Sequence, residues 1–189
     1  MFDKLIEIDK EVFLFLNTMG IKSWDGFWMF MSNKWAAIPL YVALLLLVIG
    51  KLKWKKTLLV LLFVALMITA TDQLANFFKY GVARLRPCHD DSLVDVMRLV
   101  KSSCGGKYGY FSAHAANSFA VATFFSLILS PYFRFLPVVL ILWALLVAYS
   151  RIYIGVHFPL DVVTGISIGM LSGWLFSILY EKAALRIKN

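Results

Sequence analysis

The sequence predicts an all-α, polytopic membrane helix bundle of about five to six helices. Hydrophobic residues make up 61% of its 189 residues and charged residues only 16%, whereas charged residues form about a quarter of a soluble domain. Several apolar stretches also approach the roughly 20 residues that an α-helix needs to cross a bilayer. Because this length suits one compact bundle, we expect a single integral-membrane domain over residues 1–189.

The N-terminal segment, residues 1–33, precedes the first clear span. Apolar residues recur at helical spacing over residues 2–17, with acids and lysines between them, which is typical of an amphipathic helix in the membrane interface. These residues are Phe2, Leu5, Ile6, Val12, Phe13 and Leu16. Residues 24–33 are rich in aromatic side chains, as expected near lipid headgroups. Whether residues 1–33 cross the membrane or lie on it stays open at this point.

Five apolar segments follow, and a long polar loop separates the second from the third. The segments are residues 35–50, 54–79, 115–130, 136–154 and 160–180, and the loop covers residues 80–111. The third segment is barely long enough to span, so we expect it to begin nearer Ser112. The last segment carries Gly165, Gly169 and Gly173, and small residues at this spacing let two helices pack closely.

The positions of lysine and arginine predict which face of the membrane each loop occupies. Cytoplasmic loops carry an excess of these cations. The candidates here are Lys51, Lys53, Lys55, Lys56, Arg134, Lys182, Arg186 and Lys188. The 80–111 loop and the junction at residues 150–160 then fall on the opposite face. We therefore expect a multi-pass membrane protein in which these two segments lie on the face away from the cytoplasm.

Three groups of polar residues share this outer face. They are Lys79 with Arg86-Pro87, then Ser112-Ala113-His114, then the stretch from Ser150 to Asp161 with Arg151 and His157 inside it. Ionisable residues at membrane depth are costly and usually functional. Three cations can neutralise the oxygens of a phosphate, and arginine can bind them in bidentate fashion. Backbone N–H groups at the helix start near Ser112 add anion binding.

The two histidines complete an inventory that suits phosphoryl transfer. Asp161 follows His157 by four residues, so one helical turn can bring its carboxylate to the ring. A carboxylate on one ring nitrogen leaves the other nitrogen free to attack phosphorus. His114, placed across the phosphate, can protonate the leaving oxygen and later activate water. This pattern predicts hydrolysis through a phosphohistidine intermediate.

The three ordered motifs resemble those of the type 2 phosphatidic acid phosphatases, also called lipid phosphate phosphatases. That family shows Lys-x6-Arg-Pro, then Pro-Ser-Gly-His, then Ser-Arg-x5-His-x3-Asp. The first motif is intact from Lys79 to Pro87 and the third from Ser150 to Asp161. The middle motif reads Phe111-Ser112-Ala113-His114, which keeps the serine and histidine but not the proline and glycine. The resemblance spans residues 79–161.

This resemblance implies a metal-independent phosphatase that needs no cofactor, built on a six-helix bundle of the kind shared with vanadium haloperoxidases. It implies that His157 is the nucleophile, Asp161 its orienting partner and His114 the acid/base. The residues implied to hold the phosphate are Lys79, Arg86, Arg151, Ser112 and Ala113. A haloperoxidase itself is disfavoured, because those enzymes are soluble. A transporter or scaffold without enzymatic activity would explain the spans but not the three motifs.

The substrate expected from this resemblance is a lipid phosphate whose acyl or prenyl tail lies between helices. Because the site faces outward, undecaprenyl diphosphate ranks first, followed by lipid A and phosphatidylglycerol phosphate. The net charge of +8 fits membrane topology and an anionic substrate, so we expect membrane lipids and no nucleic acid as partners. The resemblance to bacterial members of the family implies a multi-pass protein of the bacterial inner (cytoplasmic) membrane whose active site faces the periplasm. The oligomeric state stays open.

Other residues of the outer face carry separate expectations. Cys88 and Cys104 are predicted to form a disulfide, which an oxidising periplasm permits. Arg84 lies outside the motifs, and we expect it to contact solvent or lipid headgroups. The acidic residues near His89 match no specific metal geometry, so no metal site is expected.

Asp72 precedes Lys79 by seven residues and therefore lies on the same helix face, about two turns deeper. Two alternatives stay open for it. Its carboxylate contacts the substrate, or it forms a hydrogen bond between two helices.

Overall fold

The computed structural model describes residues 2–187 and is predominantly helical. Within this range the helices are α1 (Phe2–Thr18), α2 (Asp25–Met31), α3 (Ile38–Lys51), α4 (Trp54–Val82), α5 (Ala113–Leu129), α6 (Leu136–Tyr153) and α7 (Pro159–Arg186). Short 3₁₀ turns cover Lys22–Trp24, Lys34–Ala37 and Pro87–His89. The predicted all-α bundle is confirmed. The predicted cytoplasmic cation Lys188 and the side chain of Phe2 lie outside what the structure describes.

The five predicted spans are all helices. Four stretches are long and apolar enough to cross a membrane: Lys34–Lys51, Trp54–Val82, Leu136–Tyr153 and Pro159–Arg186. The remaining one, α5, is apolar but 17 residues long. It begins at Ala113, as the length argument predicts, because the Ser112 Oγ accepts a hydrogen bond from the Ala115 N–H and caps the helix.

Helix α5 lies at the centre of the bundle, between α4, α6 and α7. Its alanine and phenylalanine side chains are buried on every side, as expected for a helix that is apolar all round. Helix α7 approaches it most closely where the three glycines lie. A Cβ atom at Gly165 would stand 2.6 Å from the Ser112 carbonyl oxygen, and one at Gly173 would stand 2.5 Å from that of Ala120. The glycine pattern therefore allows backbone-to-backbone packing of α7 on α5.

Substituting Gly169 with alanine should destabilise the bundle, because the new Cβ would overlap the Ala116 backbone of α5. Overpacking of this kind costs roughly 1–3 kcal/mol, so we expect a Tm several degrees lower in thermal unfolding of the detergent-solubilised protein. Gly50→Ala is the matched control, since that helix position has no atom within 4 Å of the added methyl group. An equal Tm for both variants would contradict the packing role.

Helix α1 lies against the end of the bundle where α6 stops and α7 starts. Asn17 Nδ2 donates hydrogen bonds to the carbonyls of Ile152 and Tyr153, at 3.2 and 2.9 Å. Eight residues earlier, Asp9 Oδ1 accepts one from the Leu160 N–H at 2.9 Å. Apolar residues on its other faces are exposed, among them Leu5, Ile6, Ile8, Val12 and Phe15. These contacts place α1 along one end of the bundle, with an apolar surface available to lipid.

Candidate active site

The three motifs meet around one cavity of about 720 Å³. It lies where α4 ends, α5 begins and the α6–α7 junction turns. Six of the predicted site residues line it: Lys79, Arg86, Ala113, His114, Arg151 and His157. The other two, Ser112 and Asp161, are fully buried behind the wall. The folded chain thus brings together cations and histidines that are up to 78 residues apart in sequence.

His157 and Asp161 form the predicted pair, but not through a turn of helix. Helix α7 begins at Pro159, so His157 lies outside it. The Asp161 carboxylate turns back over the helix start, where its Oδ2 accepts a hydrogen bond from the Phe158 N–H at 3.1 Å and lies 3.4 Å from His157 Nδ1. Because a carboxylate only accepts, Nδ1 carries the proton and Nε2 is left with its lone pair.

The environment of His157 keeps its imidazole neutral. Burial lowers the pKa of His157 to about 4, although the hydrogen bond and charge of Asp161 act in the opposite direction. Its side chain is only 3% exposed. At neutral pH the ring is therefore unprotonated at Nε2, which is the form that can act as a nucleophile.

The cations around the cavity keep donors available for an anion. Arg151 donates from Nη1 to the Ser32 Oγ, while its buried Nε has no hydrogen-bond partner among residues 2–187. Lys79 forms no ion pair within that range. A buried donor without a partner is costly unless a ligand supplies the acceptor. Arg151 and Lys79 therefore present the cavity with charge and N–H groups suited to a phosphate.

Arg86 is held by the loop that follows it. Its Nη1 donates to the Cys104 carbonyl at 2.8 Å, and its Nε donates to the Tyr108 carbonyl at 3.2 Å. The structure joins Cys88 and Cys104 in a disulfide, with Cα atoms 6.0 Å apart. The bridge thus ties the residue two positions after Arg86 to the residue whose carbonyl orients its guanidinium. It connects the stability of the loop with the position of a cavity cation.

Removing this disulfide should lower both stability and activity. In the chain-entropy account, a disulfide that closes a loop of this length adds about 3 kcal/mol to the free energy of unfolding. Without the bridge, Arg86 is held less firmly at the cavity. We therefore expect kcat/KM to fall about tenfold, which corresponds to the loss of one charge-assisted hydrogen bond. The measurement compares Cys88→Ser/Cys104→Ser with the wild type, each with and without reductant. The double variant should not respond to reductant. Two reactive thiols in the native wild-type protein would contradict the bridge.

The start of α5 provides the other wall of the cavity. The Ser112 N–H donates to the Asp161 carbonyl at 2.9 Å, so it is already used in joining α5 to α7. His114 follows in the first turn of α5 and lines the cavity. The N–H groups of Ala113 and His114 have no acceptor within the described part of the chain. They are the donors that this helix start offers to an anion.

Comparison with known proteins shows the family of this chain. The family model of the PAP2 superfamily matches residues 54–184, which contain all three motifs. The chain belongs to the PAP2 superfamily. Its fold is similar to the crystal structure of a transmembrane PAP2-type phosphatidylglycerolphosphate phosphatase from Bacillus subtilis, with a TM-score of 0.70 and 21% identity, over 98% of this chain and 89% of that one.

Three relatives of this PAP2 protein are named as phosphatases of lipid substrates. It is 35% identical to a lipid A 4′-phosphatase from Bacteroides thetaiotaomicron, over 100% of this chain and 84% of the relative. It is 36% identical to a lipid A 4′-phosphatase from Porphyromonas gingivalis, over 96% and 77%. An undecaprenyl-diphosphatase from Sulfolobus acidocaldarius is 31% identical over 90% and 76%. The chain is therefore a multi-pass membrane lipid phosphatase of the PAP2 type, a hydrolase of phosphate monoesters.

The structure corrects the expectation for Arg84, a residue inside the first PAP2 motif but not part of its pattern. Arg84 does not extend to solvent or headgroups: its side chain is 18% exposed and bridges two buried carboxylates. Its Nη1 donates to Asp161 Oδ1 at 2.9 Å and its Nη2 to Asp9 Oδ2 at 2.5 Å. Its guanidinium also lies 4.3 Å from the ring centroid of Phe158. Arg84 thus holds the carboxylate that orients His157.

Asp9 is the second residue that sequence reasoning missed. Burial raises the pKa of its carboxyl group, and the hydrogen bonds from Arg84 and from the Leu160 N–H oppose that effect. Asp9, Phe13 and Asn17 lie four residues apart and form the stripe of α1 that faces the protein. All three are buried. Two polar residues on either side of a phenylalanine, at a spacing of four, are therefore the sequence signal that could have identified the buried face of α1.

Among the acidic residues near His89, Asp90 is engaged in contacts within the protein. Asp90 forms an ion pair with Lys10 at 2.6 Å and accepts a hydrogen bond from the Ser92 hydroxyl. Over residues 2–187, no group of three or more His, Cys, Asp or Glu side chains is arranged to hold a metal ion. Asp90 therefore ties the PAP2 outer loop to α1.

Proposed function

We propose that this PAP2 phosphatase hydrolyses the 4′-phosphate of lipid A at the periplasmic face of a bacterial inner membrane. The observation that carries the proposal is the similarity to two lipid A 4′-phosphatases, at 35% and 36% identity over 100% and 96% of the chain. The undecaprenyl-diphosphatase is similar at lower identity over a smaller share of the chain. Lipid A, ranked below undecaprenyl diphosphate in the sequence analysis, is therefore the better supported substrate.

The space beside the cavity suits a large anionic headgroup. A second cavity of about 380 Å³ adjoins the first and shares His114 and Arg151 with it. Two cations outside the motifs line this second space: Lys34, which borders both cavities, and Lys101. A disaccharide that carries more than one phosphate needs both volume and positive charge next to the reacting group. This extension supports a sugar phosphate more directly than a bare alkyl phosphate.

In the proposed first step, His157 Nε2 attacks phosphorus in line with the bond to the sugar oxygen. The P–N bond forms as the P–O bond breaks, and protonated His114 transfers its proton to the leaving oxygen. Asp161 holds the Nδ1–H and stabilises the positive charge that develops on the ring. Lys79, Arg86, Arg151 and the N–H groups of Ala113 and His114 would neutralise the phosphoryl oxygens.

In the second step, water attacks the phosphohistidine. Neutral His114 accepts the proton of the attacking water, the P–N bond breaks, and inorganic phosphate leaves with the new P–O bond. His157 returns to its neutral form with Nδ1 still donating to Asp161. His114 ends protonated and is ready for the next lipid. No step requires a metal ion, so activity is expected to be unchanged by a chelator.

The proposed orientation rests on the two ends of the bundle. The candidate site, α1 and the disulfide loop share one end, while the predicted cytoplasmic cations among the described residues lie on loops and helix ends at the other. These include Lys53, Lys55 and Arg134, and an excess of such cations marks cytoplasmic loops. A disulfide at the opposite end is compatible with an oxidising compartment.

The experiment measures phosphate release by the purified protein, with chelator present, from lipid A, undecaprenyl diphosphate and phosphatidylglycerol phosphate. Mass spectrometry of the lipid A product identifies which sugar has lost its phosphate. We expect the highest kcat/KM on lipid A and loss of the 4′-phosphate. His157→Gln is measured on each lipid to exclude a contaminating phosphatase. Faster hydrolysis of undecaprenyl diphosphate, or loss of the 1-phosphate, would contradict the proposal.

A further inference from the structure

A polar pair lies on the cavity wall below the phosphate-binding groups, and the hydrolysis mechanism does not use it. Asp72 on α4 and Asn117 on α5 both line the 720 Å³ cavity. Asn117 Nδ2 donates a hydrogen bond to Asp72 Oδ1 at 2.8 Å. The Thr71 hydroxyl contacts Asn117 Oδ1 from the other side. Asn117 is therefore fixed at both ends of its amide and holds one oxygen of the Asp72 carboxylate in place.

The second oxygen of Asp72 remains available. Asn117 supplies the one hydrogen bond that Asp72 accepts among the described residues, and no cation lies within 4 Å of its carboxylate in that range. A carboxylate inside a membrane-spanning helix is costly and is seldom retained without a role. Because it is an acceptor only, its natural ligand is a hydroxyl or an amide N–H.

The depth of this pair corresponds to the region below a lipid headgroup. Asp72 precedes Lys79 by seven residues, which places it about 10 Å further into the bundle along α4. Asn117 follows His114 by three residues, so it lies about one turn deeper on α5. Both side chains are therefore separated from the phosphate groups and face the same cavity.

An apolar space begins where the polar pair ends. Asn117 and Tyr41 also line a cavity of about 390 Å³ whose other walls are apolar side chains of α3, α4 and α5. Along the bundle, the order is cations and histidines, then Asp72 with Asn117, then hydrocarbon. A lipid whose phosphate and acyl chains are separated by hydroxyl and amide groups has the same order.

From this order we infer that Asp72, held by Asn117, accepts a hydrogen bond from a hydroxyl or amide N–H at the headgroup–acyl junction of the substrate. The inference rests on the proposed function, because lipid A is an acylated glucosamine disaccharide with such donors at that junction. A polyprenyl diphosphate has none. Asp72 then selects among lipid phosphates and does not take part in the chemistry.

The test compares lipids with and without these donors. Lipid A and ceramide 1-phosphate carry hydroxyl and amide donors, and dioleoyl phosphatidic acid carries neither. Asp72→Ala should raise KM for the two donor lipids by about tenfold or more, the loss of a hydrogen bond to a charged group. The rate of phosphatidic acid hydrolysis, and kcat on all three lipids, should change by no more than about twofold. Such a change corresponds to much less free energy than one hydrogen bond. Gln73→Ala, which changes an exposed residue of the same helix turn, is the matched control and should change nothing.

The outcomes separate this inference from the proposed function. An equal loss on donor and donor-free lipids would show a structural role for Asp72 and overturn the inference, while lipid A hydrolysis would still stand. No change in KM on any lipid would overturn it as well. If the wild type leaves lipid A intact but prefers ceramide 1-phosphate to phosphatidic acid, and Asp72→Ala removes that preference, the proposed function fails and the inference stands. Asp72→Asn, which keeps an acceptor, should recover part of the preference.

Discussion

Replacing His157 with glutamine should lower lipid phosphate hydrolysis by about 10⁴-fold or more, the scale seen when a covalent nucleophile is removed. Glutamine has a similar polarity but no nitrogen lone pair that can attack phosphorus, so the phosphohistidine cannot form. The side chain is 3% exposed and contacts Asp161, so the variant can keep the packing of the junction. The measurement is the rate of phosphate release under saturating substrate, with Tm as the check on folding.

His89→Gln is the matched control for that prediction. His89 lies on the same face of the bundle but is exposed and does not line the cavity, so its substitution should leave the rate unchanged. His114→Gln should behave differently from both. Its defect should shrink on p-nitrophenyl phosphate, whose leaving group needs no proton. A His157→Gln variant that is folded and retains most of its activity would exclude the histidine mechanism.

Arg84→Met should produce the second largest loss, about 10²-fold in kcat, which is the cost of misplacing a reacting group by about an ångström. The variant removes the cation shared by Asp9 and Asp161, and breaking a buried ion pair in this way costs roughly 3–5 kcal/mol. Asp9 loses one of the two hydrogen bonds that oppose the effect of burial, so its pKa should rise further and favour the protonated form. Asp161 loses the hydrogen bond that fixes its Oδ1.

Arg84 does not line the cavity, so the loss of activity should appear in kcat. KM should change by less than about threefold, which corresponds to less free energy than one hydrogen bond. Lys107→Met, which removes an exposed cation from the same loop, controls for the change in net charge and should have little effect. Arg84→Lys should recover only part of the rate, because an ammonium group cannot form the two-sided bridge. A raised KM with normal kcat would instead support the headgroup contact expected from the sequence.

The parts of this site that sequence could predict are those encoded locally. The sequence places four ionisable residues close to predicted helix ends: Lys79, Arg86, His114 and Arg151. Ionisable groups at such positions seldom lack a role. The start of α5 near Ser112 followed from the length that a span requires. The fold class followed from composition and from apolar runs of spanning length. Inside a bilayer, only helices and closed barrels satisfy every backbone hydrogen-bonding group.

Other parts depend on contacts between distant segments. Asp9 and Arg84 are 75 residues apart, and no periodicity links a carboxylate on an amphipathic helix with a loop arginine. The amphipathic pattern of α1 does not single out Asp9, which belongs to the buried stripe with Phe13 and Asn17. The predicted geometry of the His157–Asp161 pair, with both residues on one helical turn, was also wrong. Pro159, a residue favoured in the first turn of a helix, indicates that α7 begins after the histidine.

The most direct test of the central claim is to locate the covalent phosphate. Wild-type protein is mixed with a lipid phosphate substrate, quenched rapidly at alkaline pH and digested, and the peptides are analysed by mass spectrometry. We predict an acid-labile phosphate on the peptide that contains His157, absent from His157→Gln and accumulating in His114→Gln with p-nitrophenyl phosphate. Phosphate on His114, or hydrolysis that proceeds with no labelled histidine in any variant, would contradict the account.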